Sequence, residues 1–213
     1  IITAKAAQLH QRILREGENS QADVLLTSDA GNLWRAHNDK LLQSVSSDIL
    51  DSKIDSKYKD PDNYWFGLSL RARIVVYAAE RINKNKLLGY KSLANPEFKG
   101  RVLIRSSSNI YNQSLIAHMI SKYGLVEAEK WAMGLVRNFA RDPAGGDRDQ
   151  VKALAAGEGD IAIVNSYYVA NMMDADNKNL FDKLRIYFPN DDFMGTHLNI
   201  SGAAVLKLSL IHI

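Results

Sequence analysis

Residues 160–171 read DIAIVNSYYVAN. A short apolar strand, Asp160 to Val164, runs into a polar turn, and two adjacent tyrosines, Tyr167 and Tyr168, stand where a helix begins. An earlier stretch repeats the design. RVLIR (101–105) reads as a second short strand, Ser106 to Asn109 form a polar turn, and Tyr111 falls in the first turn of a helix expected over 110–123. Strand, polar turn, helix, with tyrosine at the mouth, is the unit on which the fold assignment rests.

Outward from these turns the chain alternates strands and helices. A helix is expected over 4–16, closed by Gly17, and a buried strand over 22–27. Asn32 is the expected cap of a short helix. Tyr64 to Tyr77 reads as one long strand with a polar face carrying Ser69, Arg71 and Arg73. Residues 87–93 are at best weakly helical and Pro96 to Gly100 breaks them. A helix over 125–139, a loop at 142–147 with Asp147 as N-cap, and a helix over 148–156 follow. A helix over about 167–174, a strand over 184–188 and a last strand pair or return crossing over 197–206 close the order. Short buried strands followed by helices define the α/β class.

Composition excludes several chemistries. The 213 residues are 46% hydrophobic and 24% charged, the balance of an ordinary globular chain. The formal charge is +3, with basic and acidic residues intermixed, so no clustered face for nucleic acid is expected. There is no cysteine, which removes disulfides, zinc thiolates, iron–sulfur clusters and thiol nucleophiles together. No apolar run approaches the ~20 residues of a membrane-spanning helix. The five histidines show no metal-site spacing and read as structural or exposed, and no nucleophile elbow or phosphate loop appears, so no enzyme is expected. Asp191 and Asp192 read as solvated loop residues.

In open α/β sheets ligands bind beyond the carboxyl ends of the strands. Ser106 and Asn109 are candidate anion-binding groups there, and equally good helix caps. Arg105 and Arg71 are candidate partners for a planar oxyanion, or partners in salt bridges. A lone tyrosine usually buries its ring and satisfies its hydroxyl. Two in a row, expected to point apart on a helix, fit that explanation less well. Phenolate is a hard oxygen donor, and three of them, from Tyr111, Tyr167 and Tyr168, would neutralise and suit ferric iron. Ionising a phenol, whose free pKa is near ~10, needs a strong cation close by.

Five blocks carry a resemblance: REGENSQADVLLTSDAGNLWRA (15–36), WFGLSLRARIVVY (65–77), FKGRVLIRSSSNIYNQSL (98–115), NFARDPAGGDRDQVKALAAGEGDIAIVNSYY (138–168) and FPNDDFMGTHLNISGAAVLK (188–207). In this order they resemble the periplasmic ferric-ion-binding proteins of bacterial ABC transporters, of the iron-deficiency-induced protein A type. The resemblance implies a bilobal class II periplasmic-binding-protein-like fold. Residues 1–75 would form part of lobe 1, 76–196 lobe 2 and 197–207 the return crossing, with 208–213 a candidate non-native tail and the chain incomplete at both termini. It implies Tyr111, Tyr167 and Tyr168 as ferric ligands, and carbonate or another synergistic anion that Arg71 and Arg105 would serve. Some relatives place a glutamate ligand where this chain has Ser28, and further ligands on an N-terminal strand not present ahead of Ile1. Implied partners are ferric iron (Fe3+) and the permease subunits of an ABC transporter. A monomer is expected, periplasmic, or extracytoplasmic and membrane-anchored in a Gram-positive organism. The same fold binding an oxyanion or small organic ligand is the alternative.

Overall fold

A computed structural model describes residues 1–173, 182–193 and 195–209. Residues 210–213, most of the candidate tail, lie outside the described residues, as does the expected end of the helix at residue 174. The chain divides into two compact units, residues 1–70 with the chain from Asn199 onward, and residues 71–198.

The first unit holds helices α1 (Ala6–Glu16), α2 (Ala30–Asn38) and α3 (Asp48–Lys53) and strand β1 (Val24–Ser28). β1 pairs antiparallel with a returning segment, Val24 opposite Val205 through Ser28 opposite Ser201. Leu25, Leu33, Ala36, Leu42, Ala204 and Leu206 form its core. The expectation that residues 22–27 are wholly buried is corrected: Leu25 is inside, whereas Val24 and Leu26 are 48% and 63% exposed. Successive strand side chains alternate faces, and one face of β1 packs. The cap of α2 is also corrected. It is Asp29, whose Oδ1 accepts from the Gly31 N–H at 2.9 Å, while Asn32 lies inside the helix and donates to the Ser28 carbonyl at 2.7 Å. Asp29 holds φ 83 and is fully buried, a strained position secured by a hydrogen bond from the Asn199 side chain. Gly202 is required by contact, since a Cβ there would lie 2.4 Å from the Phe66 carbonyl oxygen.

The second unit is built on a four-stranded arrangement. β2 (Phe66–Ala78) enters it at Arg71 and lies between β4 (Ile161–Asn165) and β5 (Leu184–Tyr187), antiparallel to both. β3 (Val102–Leu103) pairs parallel with β4, and β6 (Leu198–Val205) carries the chain out. Alternate strand residues feed two cores. Val75, Tyr77, Ile161 and Ile163 pack with Tyr90, Phe98, Leu115 and Trp131 on one side. Ile74, Val76, Ala162 and Val164 pack with Val151, Leu154, Val169 and Met172 on the other. Helices α4 (Ile110–Tyr123) and α5 (Leu125–Arg137) serve the first core, and α6 (Asp147–Ala155) and α7 (Ser166–Met172) the second. Strands covered on both faces read as continuous apolar runs, which is why IAIV shows no alternation.

That double cover overturns the polar face expected along β2. Leu68 and Leu70 are exposed, but from Arg71 onward every residue of the strand is buried, and Arg73 is 1% exposed. The weakly helical 87–93 region is a series of 3-10 turns at Lys84–Lys86, Lys91–Ala94 and Pro96–Phe98 that inserts Tyr90, Leu93 and Phe98 into the first core. Asp191 is buried rather than solvated, and its carboxylate accepts from the Tyr90 and Lys91 N–H groups at 2.6 and 2.8 Å. In place of a strand pair there is a single strand, β6 (Leu198–Val205), followed by an isolated bridge at Leu206.

His197 sits just before β6, with its ring 5.0 Å from that of His118. Burial, then the nearby charges of His118 and Arg73, push His197 down to about 3. The free value is about 6.5, so the unfolded chain takes up the proton first as pH falls. The stability held by neutral His197 is present above pH ~6.5 and is lost progressively toward pH ~3. Urea unfolding across that range should show His197→Gln losing less stability on acidification than the parent; parallel pH slopes would contradict the assignment.

Candidate functional site

Because β3 and β4 run parallel, their carboxyl ends open at the same edge of the second unit. The two turns singled out in the sequence therefore meet. After β3, Asn109 caps α4, its Oδ1 accepting from the Tyr111 N–H at 3.0 Å. Ser106 Oγ accepts from the Ser108 N–H at 3.2 Å and pairs with Ser108 Oγ at 2.9 Å. Both candidate anion groups thus hold their own turn. After β4, Ser166 begins α7 and its Oγ accepts from the Ala72 N–H at 3.2 Å, anchoring the start of that short helix to β2.

This geometry gathers the three phenols. The hydroxyls of Tyr111 and Tyr167 are 3.4 Å apart. The rings of Tyr167 and Tyr168 lie against one another, centroids 4.1 Å apart and tilted by 33°. The expectation that the pair points apart is corrected: at the first turn of α7 the two rings swing together. All three tyrosines are half-buried. Burial first, then hydrogen bonds with the Tyr111 and Tyr168 hydroxyls, raise Tyr167 far above the ordinary phenol range. With nothing bound, Tyr167 keeps its proton at neutral pH.

Positive charge surrounds the rings. The Arg71 and Arg105 guanidinium carbons lie 5.3 and 5.4 Å from the Tyr111 ring centre, and that of Arg148 lies 5.7 Å from the Tyr168 ring centre. These are cation–π distances. Arg105 also meets Asp147 Oδ1 at 3.4 Å, a salt bridge beside the Tyr111 ring.

Beneath the phenols lies a cluster the sequence did not reveal. The Arg73 guanidinium donates to Asp147 Oδ2 at 2.6 Å, to Asn112 Oδ1 at 2.6 Å and to Asn165 Oδ1 at 3.3 Å. Asp147, read from sequence as an N-cap, is the first residue of α6; Gly146 occupies the cap, and the Asp147 carboxylate points inward to accept from the Asn165 N–H at 2.7 Å. A charged residue inside the apolar run RIVVYA was the one signal available, and its partner lies 74 positions away.

Chemically the site offers three phenol oxygens. Among the described residues no group of three or more histidine, cysteine, aspartate or glutamate side chains gathers to hold a metal. A cation that uses this site must be strong enough to displace phenol protons, and hard enough to prefer oxygen.

Residues 19–207 match the family model described as bacterial extracellular solute-binding protein. The chain is similar to iron uptake protein A2 of Synechocystis sp., 44% identical over 212 residues, and to iron uptake protein A1 of the same organism, 42% identical over 210. These alignments cover 97% of this chain but only 61% and 58% of the two relatives, so the chain spans about three fifths of their length. Among solved structures it is similar to Trichodesmium IdiA (FutA) in complex with iron and citrate ligands, at TM-score 0.92 and 47% identity, covering 98% of this chain and 67% of that one.

The Asn109 cap yields a direct test of local structure. Asn109→Ala should lower the stability of the second unit by about 1 kcal/mol, read from denaturant melts. A change within error would show that the turn is held without it.

Proposed function

The chain belongs to the bacterial extracellular solute-binding protein family, and from that membership we propose that the protein captures ferric iron outside the cytoplasm and delivers it to the permease of an ABC importer. The carrying observation is the convergence of Tyr111, Tyr167 and Tyr168 at the common edge of β3 and β4. Relatives named for iron uptake, and a solved relative holding iron and citrate, support the same reading.

In this proposal Tyr111, Tyr167 and Tyr168 each supply one phenolate oxygen. Ferric iron is the cargo, and no covalent chemistry is performed on it. The class II solute-binding fold matches those of ferric-binding relatives. Residues 1–75, 76–196 and 197–207 are proposed as lobe, lobe and crossing, with iron shifting an open and closed equilibrium. The protein acts as a monomer in this scheme. Arg71, Arg105 and Arg148 surround the phenols with positive charge, which favours iron arriving with a small oxyanion such as carbonate or citrate. The donor set favours the metal over an oxyanion or organic ligand alone, because three clustered phenols add little to an oxyanion site already rich in guanidinium.

Adding ferric citrate to the full-length protein should produce a visible phenolate-to-iron charge-transfer band. Tyr167→Phe with Tyr168→Phe should remove most of that band and weaken binding; a double variant with both intact would sink the ferric reading. Because Tyr167 holds its proton well into the alkaline range, iron binding must release protons. Affinity should therefore fall as pH drops from about 8 to about 6, and lightly buffered titrations should register proton release. A pH-independent affinity with no proton release would contradict ligation by these phenols.

A further inference from the structure

A fully charged side chain buried beneath a binding site calls for a reason. Arg73 is 1% exposed and its partner Asp147 is fully buried. Taking such a pair out of water is costly, and a well-packed apolar pair of similar volume is often as stable or more so. Stability alone therefore does not account for it. Its bonds are informative. One amine of the guanidinium holds Asp147 and Asn165; the other holds Asn112. Asn112 follows Tyr111 directly and passes the link on, donating to the carbonyls of Arg105 at 2.7 Å and Ser106 at 3.2 Å. Asn165 is the last residue of β4, two before Tyr167, and its own N–H is tied to Asp147 Oδ2 at 2.7 Å. Asp147 Oδ1 meets Arg105 at 3.4 Å, and Arg105 lies over the Tyr111 ring. One planar fork thus binds the turn that carries Tyr111 to the strand end that carries Tyr167 and Tyr168.

We propose that Arg73, acting through Asp147, Asn112 and Asn165, is the positioning residue that fixes Tyr111 against Tyr167 and Tyr168 and thereby sets the metal affinity of the phenol cluster. The inference rests on the ferric reading given above. The Arg73 guanidinium bonds to Asp147, Asn165 and Asn112 and not to Tyr111, Tyr167 or Tyr168; it acts on the backbone and side chains that carry the rings. Its planar geometry matters as much as its charge, because a lysine offers a point charge to Asp147 without the second arm to Asn112.

The test uses the full-length protein, ferric citrate as probe and the charge-transfer band as readout. Arg73→Met with Asp147→Leu removes the pair without stranding a buried charge, and Asn112→Ala cuts one arm while leaving the ion pair in place. All three tyrosines remain. Both variants should bind iron more weakly, roughly 10–100-fold for the double variant, with a weaker or displaced band per bound ion. Arg73→Lys should restore only part of the affinity. A folded double variant with parental affinity and band would overturn the proposal. Should that variant fail to fold, an Asn112→Ala protein with parental affinity and band would overturn it equally. A parent protein with no band on ferric citrate would overturn the ferric reading instead, and this inference with it.

Discussion

The Arg73–Asp147 contact, 2.6 Å between fully buried groups, is the constraint on which the second unit depends. It joins β2 to the start of α6, and Asn112 and Asn165 extend it to the start of α4 and the end of β4. A buried ion pair is a poor source of net stability but a demanding one: remove either member and the other is left charged in an apolar interior. Such a contact tolerates few alternative packings. The elements around it are held in one arrangement by the penalty for leaving that arrangement, and the phenols stand on those elements.

Above this contact the two apolar cores supply the bulk of the stabilisation. β2 and β4 send alternate residues to opposite faces, and helices cover both. The sandwich leaves the strand ends as the place where polar side chains can emerge, and the parallel pairing of β3 with β4 makes those ends coincide. Two turns separated by more than fifty residues in sequence become neighbours for that reason, and Tyr111 reaches Tyr167.

The electrostatics of the site are set by opposing terms. Burial and mutual contact keep the Tyr167 proton on, while the guanidinium groups of Arg71, Arg105 and Arg148 favour negative charge on or near the rings. Under the ferric proposal such a cluster would discriminate by ligand strength: a weakly acidic divalent cation would gain little from protonated phenols, whereas a trivalent hard ion would offset the loss of the protons.

Much of this was legible in the residues themselves. Periodicity and glycine stops located α1, α4, α5 and the strands, because they depend on contacts along the chain. The polar turns after β3 and β4 marked the edge where Tyr111, Tyr167 and Tyr168 gather, the donors of the proposed site. What the sequence could not contain was the burial of Arg73 and Asp191, the inward turn of Asp147 and the close approach of the Tyr167 and Tyr168 rings. Arg73 on β2 looked like part of a polar face, and Asp147 looked like a helix cap, since each judgement used only neighbouring residues. Their partners lie 74 positions apart, and whether a charge is solvated or paired is a property of the packed interior. Local pattern sufficed for most elements and for placing tyrosines at the two strand ends; packing alone settled which charges are buried together and how the three phenols face one another, because those depend on distances that no local pattern encodes.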